Sequence, residues 1–320
     1  MALFRRSRSN RSPVPVWCDW CTAEEWAAFE GLVRECLAHD YAGAPWIPWA
    51  PGGSLLPELD LVQLAGRLRD EPHEQWRATV AQYPQWSADA AREAQAQRTM
   101  PFDAARRALL PTIRLAGASE DHLDAMTRIV GGGLVAEAQL TGEYADLTIG
   151  TEQTRRWDVS PAEVWSVAMA NLRRRPCDVH EGGPGDSPLH VVLGSGHHTA
   201  AHVLRLGELA GRPTPYGILV VVPRTDALAF WIINGPDLIT AGPTLQKYGN
   251  TLRDLPQSPQ RRLSGELFWW SEGTLEIVEM PDWKADAATG MGTRDRPHTI
   301  RGSERFHDMF FSLVSPPGDR

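Results

Sequence analysis

The stretch YGILVVVPRTDALAFWII, residues 216–233, narrows the choice of fold more than any other. Two continuous apolar runs of strand length are separated by Pro-Arg-Thr-Asp. YGILVVVP reads as a buried strand and DALAFWII as another strand. PLHVVLGSG precedes it as another strand, HHTAAHVLRLGELAG reads as a helix, and ELFWWSEGTLEIVEM reads as a hairpin turning at Ser271–Glu272–Gly273. The expected strands are Leu189–Leu193, Gly217–Val222 and Ala227–Ile233, with a helix from about His198 to Glu208. Strand–helix–strand needs a crossover, whereas the VVVP and LAFWII runs can pair as a hairpin, so a mixed sheet is expected.

Local signals place the flanking elements. LLPTIRL and GGGLVAEAQLTGEYADLTIGT read as strands separated by turns. VSPAEVWSVAMANLRRR carries a helix start, with Ser160 as N-cap, Pro161 at the first helical position and Glu163 three after the cap. Val164, Trp165, Ala168 and Leu172 form its apolar stripe. Residues 15–105 read as helical. Thr22 and Glu25 make a capping box, and Trp26, Phe29, Leu32, Val33, Cys36 and Leu37 follow at helical spacing. LPELDLVQLAGRLRDE is a second helix, and HEQWRATVAQYPQW a third, closed by Pro84. An Ala-rich helical stretch follows, interrupted near Pro101, and APWIPWAPGGS is a loop. DLITAGPTLQKYGNTL is a helix with an internal Pro243, and RFHDMFFSLV is placed to dock on the body. The expected fold is α+β, a mixed sheet with flanking helices, preceded by a mainly helical N-terminal region. Its divisions are a disordered basic tail (1–14), a helical Trp-rich region (15–105), an α+β domain (106–280) and a C-terminal extension (281–320).

These five stretches resemble, in order, the YtpQ-like bacterial proteins: LLPTIR, DVSPAEVWSVAMANL, GHHTAAHVL, VVVPRTDALAF and RLSGELFWWSEGTLEI. The resemblance covers roughly residues 109–278. It implies a soluble α+β domain and no reaction. One departure is the turn Gly196–His197–His198, where the family tends to carry an Asp.

Composition bounds the function. The net charge is −8 over 320 residues, which argues against a dedicated nucleic-acid binder. No run of eighteen apolar residues is present, so no membrane-spanning helix is expected. MALFRRSRSNRSPVP has no apolar stretch behind its arginines and does not read as a secretory signal. Four cysteines without such a signal point to a reducing cytoplasm.

Three groups of residues could carry chemistry. In LGSGHHTAAH, His198 and His202 are four apart, a spacing that puts both on one α-helical face toward a zinc ion. Thr199 stands where a metalloprotease would have glutamate. His190, His180 or Cys177 could complete a composite site. Gly194 and Gly196 suggest a dinucleotide turn, but Thr199 replaces the third glycine and Asp226 lies too far on for the ribose. Ser195 lacks the first glycine of a nucleophile elbow. The second group is Cys18, Cys21, Cys36 and His39, spaced C-x2-C-x14-C-x2-H, the ligand types of a structural zinc site. The bland alternative buries Cys36 on the apolar helix face, with the remaining cysteines in the loop. The third is the tryptophan surplus, including the pairs Trp17/Trp20, Trp46/Trp49 and Trp269/Trp270, which serve either as core or as an aromatic wall for a ligand. No catalytic set is complete. The expectation is a cytosolic, non-catalytic binding or accessory protein that engages another protein and has no cofactor, with zinc as the possible exception. The alternative is a metal-dependent hydrolase using the His/Cys cluster of residues 177–202.

Overall fold

The computed structural model describes residues 14, 18, 21–37, 61–69, 71–117, 126–182, 189–194, 196–255, 261–280 and 300–314. The tail 1–13, Trp17, Trp20, His39, the loop holding Trp46 and Trp49, Ser195 and residues 281–299 lie outside the described residues. The chain is α+β with a helical N-terminal region, and it clusters into two compact units.

The first unit is built on Met1–Ala96. Its helices are α1 (Ala23–Leu37), α2 (Leu61–Leu68) and α3, which runs from His73 to Thr99. The capping box forms at the start of α1. Glu25 N–H donates to Thr22 Oγ1 at 3.2 Å and Thr22 N–H donates to the Glu25 carboxylate at 2.7 Å. Trp26, Phe29 and Val33 then pack with Leu64, Leu68, Trp76, Val80 and Tyr83. Pro84 does not close α3, contrary to expectation. Proline there withholds one donor from the carbonyl of Val80. The burial of Val80 and Tyr83 before it, and the helix-forming run SADAAREAQAQR after it, carry the helix through.

The second unit begins with the short helix α4 (Phe102–Ala105), after the expected break at Pro101. Its first sheet contains β1 (Leu109–Leu115), β2 (Thr127–Gly131), β3 (Leu134–Leu140) and β4 (Leu147–Thr148), in the order β1-β3-β2 with β4 also on β3. Helices α5 (Thr151–Trp157) and α6 (Pro161–Arg174) follow. Ser160 caps α6 as read, its Oγ accepting from Glu163 N–H at 3.1 Å. The buried stripe Val164, Trp165, Ala168 and Leu172 joins the core against β1.

The second sheet is formed by β5 (Val179–Glu181), β6 (His190–Leu193), β7 (Ile218–Arg224), β8 (Ala227–Ile232), β9 (Leu267–Ser271) and β10 (Thr274–Ile277), in the order β10-β9-β7-β8-β6-β5. Its two faces explain the continuous apolar runs. Ile218, Val220, Val222, Leu228, Phe230 and Ile232 face one core, while Leu219, Val221, Ala229 and Trp231 face another. The second core is completed by Leu238, Ala241 and Leu245 of α8 (Leu238–Asp254) and by Phe306 and Phe310 of α9 (Glu304–Val314). The RFHDMFFSLV segment therefore docks as expected.

The sheet is not mixed. Every strand pairing among the described residues is antiparallel. The strand–helix–strand unit from β6 to β7 does run its two strands in the same direction, but they are not neighbours. β8 returns through the Arg224–Ala227 turn and inserts between them, pairing with both. A hairpin partner arriving immediately after β7 takes the place a parallel crossover would need.

Candidate functional site

The segment between β6 and β7 is a 3₁₀ helix, Thr199–Arg205, which runs into the short α7 (Leu206–Leu209). The packing accounts for this. Ala200 to Val203 and Leu206 are buried, and the spacing of Ala200, Val203 and Leu206 within them is the repeat that aligns on one side of a 3₁₀ helix. The consequence for the histidines is direct. Positions four apart share a face in an α-helix, but in a 3₁₀ helix they are about a third of a turn apart. His198 and His202 accordingly take different partners.

His198 immediately precedes the 3₁₀ helix and is buried. Its Nδ1–H donates to the carbonyl of Pro111 in β1 at 2.9 Å. Burial pushes its pKa down, opposed by the Pro111 hydrogen bond and the Asp146 charge. His202 Nδ1 accepts from Arg205 Nε at 3.0 Å. Residues three apart are eclipsed in this helix, which is why Arg205 lies over His202. The bond also sets the tautomer: with Nδ1 accepting, the ring proton sits on Nε2. Burial first, then the charges of Arg205 and Arg175, hold His202 down at about 4. The ring is therefore neutral at pH 7.

Arg175 follows α6, and its Nη1 lies 3.5 Å from the place a β-carbon on Gly196 would occupy. Among the described residues it has no carboxylate partner. Arg205 is 3.6 Å from Glu208, but that carboxylate is held closer, at 2.9 Å, by Arg173. Cys177 is half-buried beside Arg205. Burial raises its pKa, while the guanidinium and its hydrogen bond pull the other way. Arg173 and Arg205 thus share the Glu208 carboxylate, while the charges of Arg205 and Arg175 bear on the neutral His202 ring. That balance disfavours a dication at His202 and favours an anion.

The glycines have a packing role. A β-carbon on Gly194 would fall 2.2 Å from Thr199 Oγ1. Gly194 N–H bonds to the carbonyl of Asp226 at 3.0 Å, and Ala200 N–H to that of Thr225 at 2.8 Å. The turn is thereby pinned to the β7–β8 hairpin, where Arg224 Nε donates to Asp226 at 2.7 Å. Asp226 is thus committed to an internal ion pair.

The other candidate residues are dispersed. His190 stacks on Phe230 with centroids 4.7 Å apart, and burial pushes its pKa down. His180 is exposed on β5. In the first unit Cys18 is buried and its side chain hydrogen-bonds Cys21, whose pKa is raised chiefly by burial. Cys36 packs on the edge of the same apolar cluster, and His39 lies outside the described residues. Among the described residues no three His, Cys, Asp or Glu side chains are gathered to hold a metal ion. Of the tryptophans, Trp26, Trp76, Trp157, Trp165, Trp231 and Trp269 are buried. No helix among the described residues is long and apolar enough to cross a membrane.

Sequence reasoning missed Arg205 and Arg175. The His-x-x-Arg spacing could have revealed the first, given a 3₁₀ helix. Nothing local marks the second, which reaches the turn only through the fold. No family model, curated protein or solved structure matches this chain.

Proposed function

We propose that this chain is a non-catalytic binding protein that engages another protein by strand addition at β2. The carrying observation is Ile129, which is 90% exposed on a strand at the end of its sheet. Thr127 and Arg128 beside it are also exposed, and among the described residues β2 pairs with β3 alone. An edge strand with unpaired backbone groups and an outward apolar side chain supports main-chain pairing with a partner segment. The metal-hydrolase alternative has weaker support, because Arg175 and Arg205 repel a dication from His202.

Affinity capture with the wild type and an Ile129→Asp variant tests this reading. The wild type should retain a stoichiometric protein partner whose binding slows hydrogen exchange in Thr127–Gly131. Ile129→Asp should fold normally, within about 0.5 kcal/mol of wild type, and lose that partner. Capture of the same partner by both proteins, with unchanged exchange at β2, would remove the basis of the proposal.

A further inference from the structure

We propose that Cys18 and Cys21 form a redox-active dithiol that reduces a low-molecular-weight disulfide, of the glutathione type, and closes to a Cys18–Cys21 disulfide. The site lies in the first unit and does not depend on strand addition at β2.

The chain ahead of α1 brings the two thiols together. Cys21 N–H donates to the carbonyl of Cys18 at 3.0 Å. A four-residue turn closed by such a bond holds its first and last Cα atoms within about 7 Å, and disulfides span about 4.4–6.8 Å between Cα atoms. The side chains meet as well, since the two thiols share a hydrogen bond. Both ends of the turn are anchored. Cys18 is fully buried in the apolar cluster with Trp26, Phe29 and Val33. Cys21 is followed at once by Thr22, which forms the capping box with Glu25. The sulfurs are therefore held near each other before any bond forms, which favours ring closure over reaction with a second external thiol. Cys36 cannot replace either of them. It lies near the far end of α1, about 20 Å along the axis from Ala23, and only Thr22 separates Ala23 from Cys21.

The two cysteines differ in access, and that sets the order of the steps. Cys21 is half-buried whereas Cys18 is 0% exposed, so an incoming disulfide meets Cys21. The Cys21 thiolate attacks one sulfur, the incoming S–S bond breaks, and the departing thiolate takes up the proton that Cys21 released. Cys18 then gives up its proton and attacks the Cys21 sulfur of the mixed disulfide. The second thiolate leaves and takes that proton. Two electrons pass from the cysteine pair to the small disulfide, which becomes two thiols. Burial raises the Cys21 pKa, with the Cys18 hydrogen bond opposing and the Glu25 charge adding to the rise. The resting form is therefore the dithiol, and the first step quickens as pH climbs toward that raised value.

Incubation of the reduced full chain with oxidised glutathione, followed by intact mass and peptide mapping, tests the site. The wild type should lose the mass of two hydrogens, keep no glutathione, and carry the new bond within the peptide that holds Cys18 and Cys21. Excess reduced glutathione should restore both thiols. A chain with Cys36→Ser and Cys177→Ser together should behave as the wild type does. Cys18→Ser should stop at a glutathione adduct on Cys21, with no internal disulfide. Cys21→Ser should react at Cys18 about tenfold more slowly or less, as a thiol without access does. The wild-type rate should rise by roughly tenfold per pH unit while the thiol remains protonated. Because Cys18→Ser alters a buried position, the wild-type peptide map decides the matter by itself. A wild-type chain that retains both thiols, keeps glutathione on Cys21 or joins Cys21 to Cys36 would overturn the proposal.

Discussion

His202 is neutral because the fold keeps it so, and this has a measurable cost in acid. Its pKa falls to about 4 in the folded chain, through burial and then the charges of Arg205 and Arg175, against about 6.5 when unfolded. Above pH about 6.5 neither state binds the proton and the contribution is constant. As pH falls from there, the unfolded chain takes up a proton that the folded ring refuses, so stability declines until pH about 4. The loss from this one residue is at most about 3 kcal/mol. His190 and His198 are shifted in the same direction, so the total slope is larger. Urea unfolding at pH 7.5 and 4.5 should show the decline, and His202→Gln should flatten part of it. A His202 ring titrating near its unfolded value in NMR spectra would contradict this account. The identity of His202 as a candidate was legible in the sequence. Its role was not, since Arg175 reaches the turn only through the fold.

At the scale of elements, most of what forms does so for local reasons. Ser160 caps α6 with a 3.1 Å bond to Glu163 N–H. Ser160→Ala should therefore destabilise the chain by about 1 kcal/mol in urea unfolding, and Ser160→Asp should retain most of the stability. Equal midpoints for the Ala variant and wild type would show that the cap contributes nothing. The β9–β10 hairpin is likewise local: Glu272 and Gly273 adopt φ of 51° and 86°, the two positive values a two-residue type I′ turn requires. The 3₁₀ helix is different. The apolar pattern of TAAHVLRL is compatible with an α-helix, and packing of Ala200, Val203 and Leu206 selects the tighter winding. That choice, which no local signal announces, separates His198 from His202.

For the whole molecule, the second unit's core is closed by its last described helix. Phe306 is fully buried, with its ring 5.4 Å from Trp269 and 6.2 Å from Phe310. Phe306→Ala should cost about 3–5 kcal/mol. Phe311 on the same helix is 54% exposed, and Phe311→Ala should stay within about 0.5 kcal/mol. Thermal unfolding of the two variants distinguishes a helix that completes the core from one that merely rests on it; equal small effects would indicate the latter. The sequence by itself determined the α+β class, the helix caps, the hairpin turn and the buried YGILVVVP strand. Each of these rests on contacts within a few residues, or on the period of the apolar pattern. Tertiary structure alone decided that β8 inserts between β6 and β7, making the sheet antiparallel where a mixed one was expected. It also decided that the carbonyl of Pro111 takes His198 and that the charge of Arg175, from the end of α6, bears on His202. Those outcomes depend on which distant surfaces pack together, and the same local propensities are compatible with several answers until the core is assembled.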